Sequence, residues 1–217
     1  FSVIDYDRMH QSSKFTNFRE IVSLLTPMDV VGAKYRRIGR DFDGGYVMLD
    51  DFVSKPINAA YSFGIGDDVS WEKAIAKLGI PVYMYDHTIK TLPKNDPQFH
   101  FFKEGVRGSK IEMGFETLTK LIHRNGHEAS NNLLLKMDIE GDEWSVITGT
   151  PSAIIGQFSQ IAIEYHGLDP NRTPGDMSLL TSALAKMNQT HQCVHVHGNG
   201  YGSISWLGEQ ALPSILE

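Results

Sequence analysis

The stretch from Asn58 to Asp86, NAAYSFGIGDDVSWEKAIAKLGIPVYMYD, constrains the fold more than any other part of the chain. Small and aromatic residues lead into Gly64, a helical apolar rhythm follows at Trp71, Ile75 and Leu78, and Val82 to Tyr85 turn apolar again. The pattern reads as strand, glycine turn, helix, strand. A βαβ unit of this size crosses over right-handed, because a right-twisted strand feeding a right-handed helix packs back onto its sheet in that sense. The glycine turn then lies at the carboxyl end of a strand, where ligands bind in open α/β sheets.

The chemistry of the turn narrows the ligand. Gly64 and Gly66 let the backbone approach a bound molecule closely, and Asp86 follows Gly66 by 86 − 66 = 20 residues, the spacing at which an acidic side chain reaches a ribose diol. The third glycine of a dinucleotide fingerprint would stand at position 69, which is Val69, and the helix opens on Asp67 and Asp68. A pyrophosphate would meet two carboxylates where a helix N-terminus ordinarily holds an anion. The turn therefore favours a nucleoside without phosphates, one with positive charge included. S-adenosylmethionine, with its adenosine, sulfonium and amino-acid tail, fits that description. The plainer alternative makes Asp68 an N-cap and the glycines a tight βα turn.

Composition sets the frame around this unit. With 217 residues, 41% apolar and 21% charged, the chain is expected to form a single globular domain, 1–217, in which 1–50 are a helix and hairpin appendage and 58–217 a Rossmann-like core. No apolar run approaches the ~18 to 20 residues that span a bilayer, and the start lacks the order of a signal peptide. No membrane partner is expected. Net charge is −6, and the clearest basic cluster is Lys34, Arg36 and Arg37, so no nucleic-acid partner is expected either. The lone Cys193 excludes an internal disulfide and suits a reducing, cytoplasmic setting; its apolar neighbours mark it as a buried, inert thiol.

Along the chain, Phe18, Ile21, Val22 and Leu25 mark a packing helix stopped by Pro27. Tyr35 to Ile38 and Tyr46 to Leu49 flank Asp43-Gly44-Gly45, a hairpin signal; the sharper alternative lays the Gly44-Gly45 backbone over the methionine tail of the cofactor. Strands are predicted at Phe99 to Lys103, Leu133 to Met137, Ile161 to Tyr165 and Cys193 to His197. Helices are predicted at Phe115 to Ile122, closed by Asn125-Gly126, around Trp144 and Ile147, and from Leu179 to Met187. Alternating strands and helices imply a mostly parallel sheet covered on both faces. Gly64 to Asp67, Asp86, Glu104, Asp138, His166 and His197 then fall at carboxyl ends of strands, along one edge.

Leu135 to Glu143 reads LKMDIEGDE, which resembles the fourth-strand signature of the FkbM-type family of class I methyltransferases. The D-G-G-Y at Asp43 to Tyr46, the F-G-I-G-D-D turn, the I-E-Y-H at Ile163 to His166 and the H-x-H-G-N at His195 to Asn199 are similar to the same group in the same order. Gly200 departs from it where relatives often carry a second Asn. The resemblance covers roughly Tyr35 to the end. It implies a Rossmann-like sheet of seven strands, the last antiparallel in the run from Leu212 to Leu216, and methyl transfer from S-adenosylmethionine to a hydroxyl of a sugar or other small metabolite.

On this reading Gly44, Gly45, Phe63, Gly64, Gly66, Asp86, His87, Val106 and Asp138 hold the cofactor, Asp86 through the ribose hydroxyls and His87 or Val106 beside the adenine. Transfer to an alcohol releases a proton, which calls for a base or a metal. Asp138, His166 and His197 are the candidates. Convergence of the three would suit Mn²⁺, Fe²⁺ or Zn²⁺; otherwise the histidines bond loop backbone, or one alone acts as the base. Two other classes use the same βαβ unit: an NAD(P)-dependent oxidoreductase, and a nucleotide-binding module without catalysis.

Overall fold

The protein is described by a computed structural model covering residues 13–52, 54–109, 112–168, 177–207 and 210–217. Helix α1 (Ser13–Leu24) precedes an antiparallel hairpin, β1 (Tyr35–Gly39) and β2 (Gly45–Leu49). The βαβ unit follows as β3 (Ala59–Phe63), α2 (Ser70–Ala76) and β4 (Val82–Tyr85). Then come β5 (Phe99–Phe102), β6 (Gly105–Val106), β7 (Phe115–Glu116), α3 (Leu118–Arg124), β8 (Leu133–Met137), α4 (Glu143–Gly149), α5 (Ser152–Ile155) and β9 (Phe158–Ile163). The chain continues through β10 (Tyr165–His166), α6 (Met177–Met187), β11 (Ile204–Leu207), β12 (Gln210–Pro213) and β13 (Ile215–Leu216).

The centre is a five-stranded parallel sheet in the order β5-β4-β3-β8-β9, an α/β arrangement compatible with a Rossmann-like fold. The expectation of seven strands is corrected: among the described residues the main sheet has five. Ile215 and Leu216 do pair antiparallel, but with the short β10 beyond the end of β9. Nor is Cys193 to His197 a strand: the segment makes no ladder, and its backbone joins the end of the chain at the His197–Glu217 pair, next to an isolated bridge from Gly198 to Leu216. Phe115 belongs to β7 and not to the helix, which begins after the Thr117 cap, whose hydroxyl accepts from the Lys120 N–H.

Strand alternation divides the interior into two cores. Tyr61, Phe63, Leu133, Leu135 and Met137 face one core with Phe18 and Ile21 of α1 and with Leu118, Leu121, Trp144, Leu180 and Leu184 from α3, α4 and α6. Ala60, Val82, Met84 and Leu134 face the other, closed by Trp71 and Ile75 of α2 and by Ile38, Tyr46 and Met48 of the hairpin. Each large apolar side chain fully buried here contributes about 1.5–3 kcal/mol. The helix and hairpin of residues 13–49 are thus packed into the two cores. Gln160 of β9 fastens the hairpin further: it accepts from the Leu49 N–H (2.8 Å) and donates to the Leu49 carbonyl (3.0 Å).

Strand β3 sits between β4 and β8, so the chain runs outward in both directions from it. The crevice at such a switch point opens beside the loop that follows β3. No helix among the described residues is long and apolar enough to cross a membrane.

Candidate functional site

A cleft of about 460 Å³ occupies that switch point, a volume in the range of small-molecule sites. Its floor is the glycine turn. Gly64 has φ +75°, and a Cβ there would stand 1.6 Å from the Asp138 carbonyl oxygen, so only glycine lets the chain after β3 pass this close to the chain after β8. Gly66 also has positive φ, with open space where a side chain would be. Asp86, buried at the end of β4, shapes the turn: one carboxylate oxygen accepts from the Ile65 and Gly66 N–H groups, both at 2.9 Å, and the other from the N–H and hydroxyl of Thr88. Burial raises its pKa, but these four donors outweigh it and hold the carboxyl at about 2. A carboxylate has about four acceptor positions, so in this structure those of Asp86, expected to take the ribose hydroxyls, are filled by the turn and Thr88.

Of the residues expected to hold a cofactor, Gly44, Phe63, Gly64, Gly66, Asp86, His87, Val106 and Asp138 all line this cleft. Gly45 does not; its requirement is local, since a Cβ would stand 1.9 Å from the Arg40 carbonyl oxygen and open the hairpin. The D-G-G segment is the hairpin turn of its plainer reading, and its Gly44 lies against the Asp68 carboxylate at the rim of the cleft. Asp68 is no N-cap: it accepts the Ser70 hydroxyl at 2.6 Å, while the Ser70 oxygen accepts the Arg40 N–H at 2.8 Å. His87 and Phe115, ring centroids 4.5 Å apart, join Val106 as an aromatic and apolar wall on the β4 side of the turn.

Trp71, one position of the apolar rhythm of α2, does more than fill the core. It is buried, yet it lines the cleft and its indole N–H has no acceptor among the described residues; a buried donor left unmade costs about 1–3 kcal/mol unless a ligand takes it. The apolar rhythm of α2 locates the ring without revealing this. Glu72, also on the lining, accepts from the Ser62 hydroxyl in the sheet and faces Lys136, whose ammonium donates to the Gly64 carbonyl. Lys136 is therefore a buried strand cation that braces the glycine turn, with Asp138 at 3.9 Å. Among the described residues, Asp43, Asp67, Asp68, Glu72, Asp86, Asp138, Glu140 and Asp142 line the cleft against two cationic side chains, Arg40 and Lys136.

At its β8 side the cleft meets a charged cluster. His166 places Nδ1 3.1 Å from Glu143 and Nε2 3.5 Å from both Glu140 and Glu164 and 3.9 Å from Asp138. Burial disfavours the imidazolium, but the Glu143 hydrogen bond and the carboxylates around it win, so its pKa is raised. Burial also raises that of Asp138. Glu140 has φ +60°, a costly conformation for a non-glycine residue. It is held by Glu143, whose carboxylate accepts the N–H groups of Ile139 and Gly141 on either side.

Asp138, Glu140 and His166 bring one ligand atom each within 4.8 Å of one another. His197 is not with them. It faces His195 (Nδ1 to Nε2, 3.1 Å) and Glu217 (3.0 Å), and burial together with His195 and Arg37 lowers its pKa. The expected Asp138/His166/His197 set is thus corrected to a pair joined by Glu140, because the His195–His197 segment lies outside the sheet. Glu104 is also apart, held by two hydrogen bonds from Arg124. The half-buried Cys193 thiol is pushed up by burial and donates to the His195 carbonyl, as suits an inert thiol.

Comparisons with protein-family models, with curated proteins and with solved structures gave no match to this chain, so the site is read from its own geometry.

Proposed function

We propose that the cleft binds S-adenosylmethionine and that the protein transfers its methyl group to a hydroxyl of a small acceptor, within a fold of the class I methyltransferase kind. The observation that carries this reading is the charge of the cleft: among the described residues, eight carboxylates against two cations repel a pyrophosphate and suit a nucleoside with a sulfonium. The same imbalance, with Val69 in place of a third glycine, weighs against NAD(P). The donor set fits the cofactor in kind. The turn at Gly64 and Gly66 admits the tail and ribose, the wall of His87, Val106 and Phe115 suits an adenine, and the Trp71 N–H offers a hydrogen bond.

When bound, the cofactor supplies an electrophilic methyl group. The protein's part is to align the acceptor, exclude water and receive the proton. Asp138 lines the cleft and carries a carboxylate whose raised pKa suits a base; His166, ion-paired behind it, positions it. A second reading, favoured by the proximity of Asp138, Glu140 and His166, has these three hold Mn²⁺, Fe²⁺ or Zn²⁺, which would lower the pKa of the acceptor hydroxyl.

The test is formation of S-adenosylhomocysteine from S-adenosylmethionine across a panel of hydroxylated small molecules. Acceptor-dependent product is expected, with Asp138→Asn about 10²-fold slower while still binding the cofactor. Turnover of NAD(P)H with no S-adenosylhomocysteine would overturn the reading. Loss of transfer in chelator, restored by Mn²⁺, would select the metal-assisted form.

A further inference from the structure

Beside the cluster at Asp138 lies a second group of carboxylates, of which the transfer reading uses Asp43 for its charge at the cleft rim and the other two not at all. Asp43 comes from the hairpin turn, Glu164 from the junction of β9 and β10, and Glu217 from the end of β13. One oxygen from each lies within 4.8 Å of the other two, and the trio shares no member with Asp138, Glu140 and His166. A single neutral donor serves all three, the Asn199 amide, at 3.3, 3.1 and 3.1 Å.

Three observations beyond the clustering point to a missing ligand. Glu164 is 4% exposed, and its Oε2 has no hydrogen-bond partner. Glu217 Oε2 is likewise buried and unsatisfied, since His197 Nε2 comes to 3.0 Å but out of line for a hydrogen bond. Tyr46, 3% exposed and no member of the trio, has a buried hydroxyl without a partner, close enough to Glu164, Glu217 and Asp138 to feel their charges. Buried carboxylate oxygens without donors are costly; besides the shared Asn199 amide the trio meets the Arg40 guanidinium, 3.5 Å from Asp43, and the His166 and His197 rings, 3.5 and 3.0 Å from Glu164 and Glu217, which leaves Glu164 Oε2 and Glu217 Oε2 without a hydrogen bond among the described residues. Burial and the neighbouring carboxylates also push Glu164 upward, and Glu217 to about 7, the mark of crowded negative charge.

We infer that Asp43, Glu164 and Glu217 bind one hard divalent cation of the Ca²⁺ or Mn²⁺ kind, which fastens the hairpin turn to the strands at the sheet's open end. The donors are all oxygens, as such ions prefer, and their separations suit ligand distances of about 2.1–2.5 Å. Water on the cation would supply the partner that the Tyr46 hydroxyl lacks. The inference does not rest on S-adenosylmethionine, although Asp43 also lines the cleft proposed for it.

The test uses the whole chain, freed of metal with chelator and desalted, with Mn²⁺ as probe, bound ion counted by electron paramagnetic resonance and Ca²⁺ as competitor. The wild type is expected to bind Mn²⁺ saturably. Glu164→Gln and, on the accessible turn, Asp43→Asn should each weaken one site by roughly tenfold or more, while Glu140→Gln, in the neighbouring trio, should leave that site in place. Thermal melts give a second signature. In chelator Glu164→Gln should melt above the wild type, because an unmatched buried carboxylate is gone; in saturating Mn²⁺ the order should reverse. No saturable binding by the wild type, or binding abolished by Glu140→Gln and untouched by Glu164→Gln and Asp43→Asn, would overturn the inference.

Discussion

Single atoms decide most of what the cleft can do. The four hydrogen bonds on Asp86 make its ionised form part of the fold. Its pKa lies below the ordinary 3.8, so its contribution is present above about pH 4 and is lost as pH falls toward about 2. The gap corresponds to about 2 kcal/mol, and Asp86→Asn should lose that much against denaturant at neutral pH, with the difference from wild type shrinking below about pH 4. Trp71→Phe should behave otherwise: ring packing is kept, the orphan N–H goes, stability changes little, and affinity for the cleft's ligand falls about three- to tenfold by titration. The sequence made the position of Asp86 legible through its spacing from Gly66, but not its occupation, which depends on the backbone path of Ile65, Gly66 and Thr88. The Trp71 donor was hidden for a related reason, since periodicity reports burial and not unmet hydrogen bonds.

At the scale of elements, local pattern was a good guide wherever a strand or helix carries its own periodicity. β8 spans the residues its apolar run marks, and Asn125-Gly126 closes α3. It misled at Phe115, whose apolar side chain was in phase with α3 although the Thr117 cap starts the helix later. It misled again at Cys193 to His197, where an apolar run pairs with the backbone of Glu217 at His197 and forms no ladder. The hairpin is the element whose role grew most, from appendage to part of a core and rim of the cleft. Its link to β9 runs through Gln160, so Gln160→Ala should cost about 1–2 kcal/mol and raise hydrogen exchange at the Leu49 amide; unchanged exchange there would mean that the packing of Tyr46 and Met48 suffices.

For the whole molecule, the order β5-β4-β3-β8-β9 turns one reversal of chain direction into a crevice, and the glycine turn, Asp86 and Asp138 reach it because each follows a strand's carboxyl end. That convergence was legible from the alternation of elements. The placement of His197 was not, because it hangs on β13 and the segment before it, whose pairing with β10 is a long-range event. The central claim is that an acidic switch-point cleft selects a cationic nucleoside over a pyrophosphate-bearing one. Calorimetric titration of the purified protein with S-adenosylmethionine, and in parallel with NAD⁺, tests it most directly: saturable heat from the first and none from the second is the predicted result, and saturable binding of NAD⁺ with none of S-adenosylmethionine would contradict it.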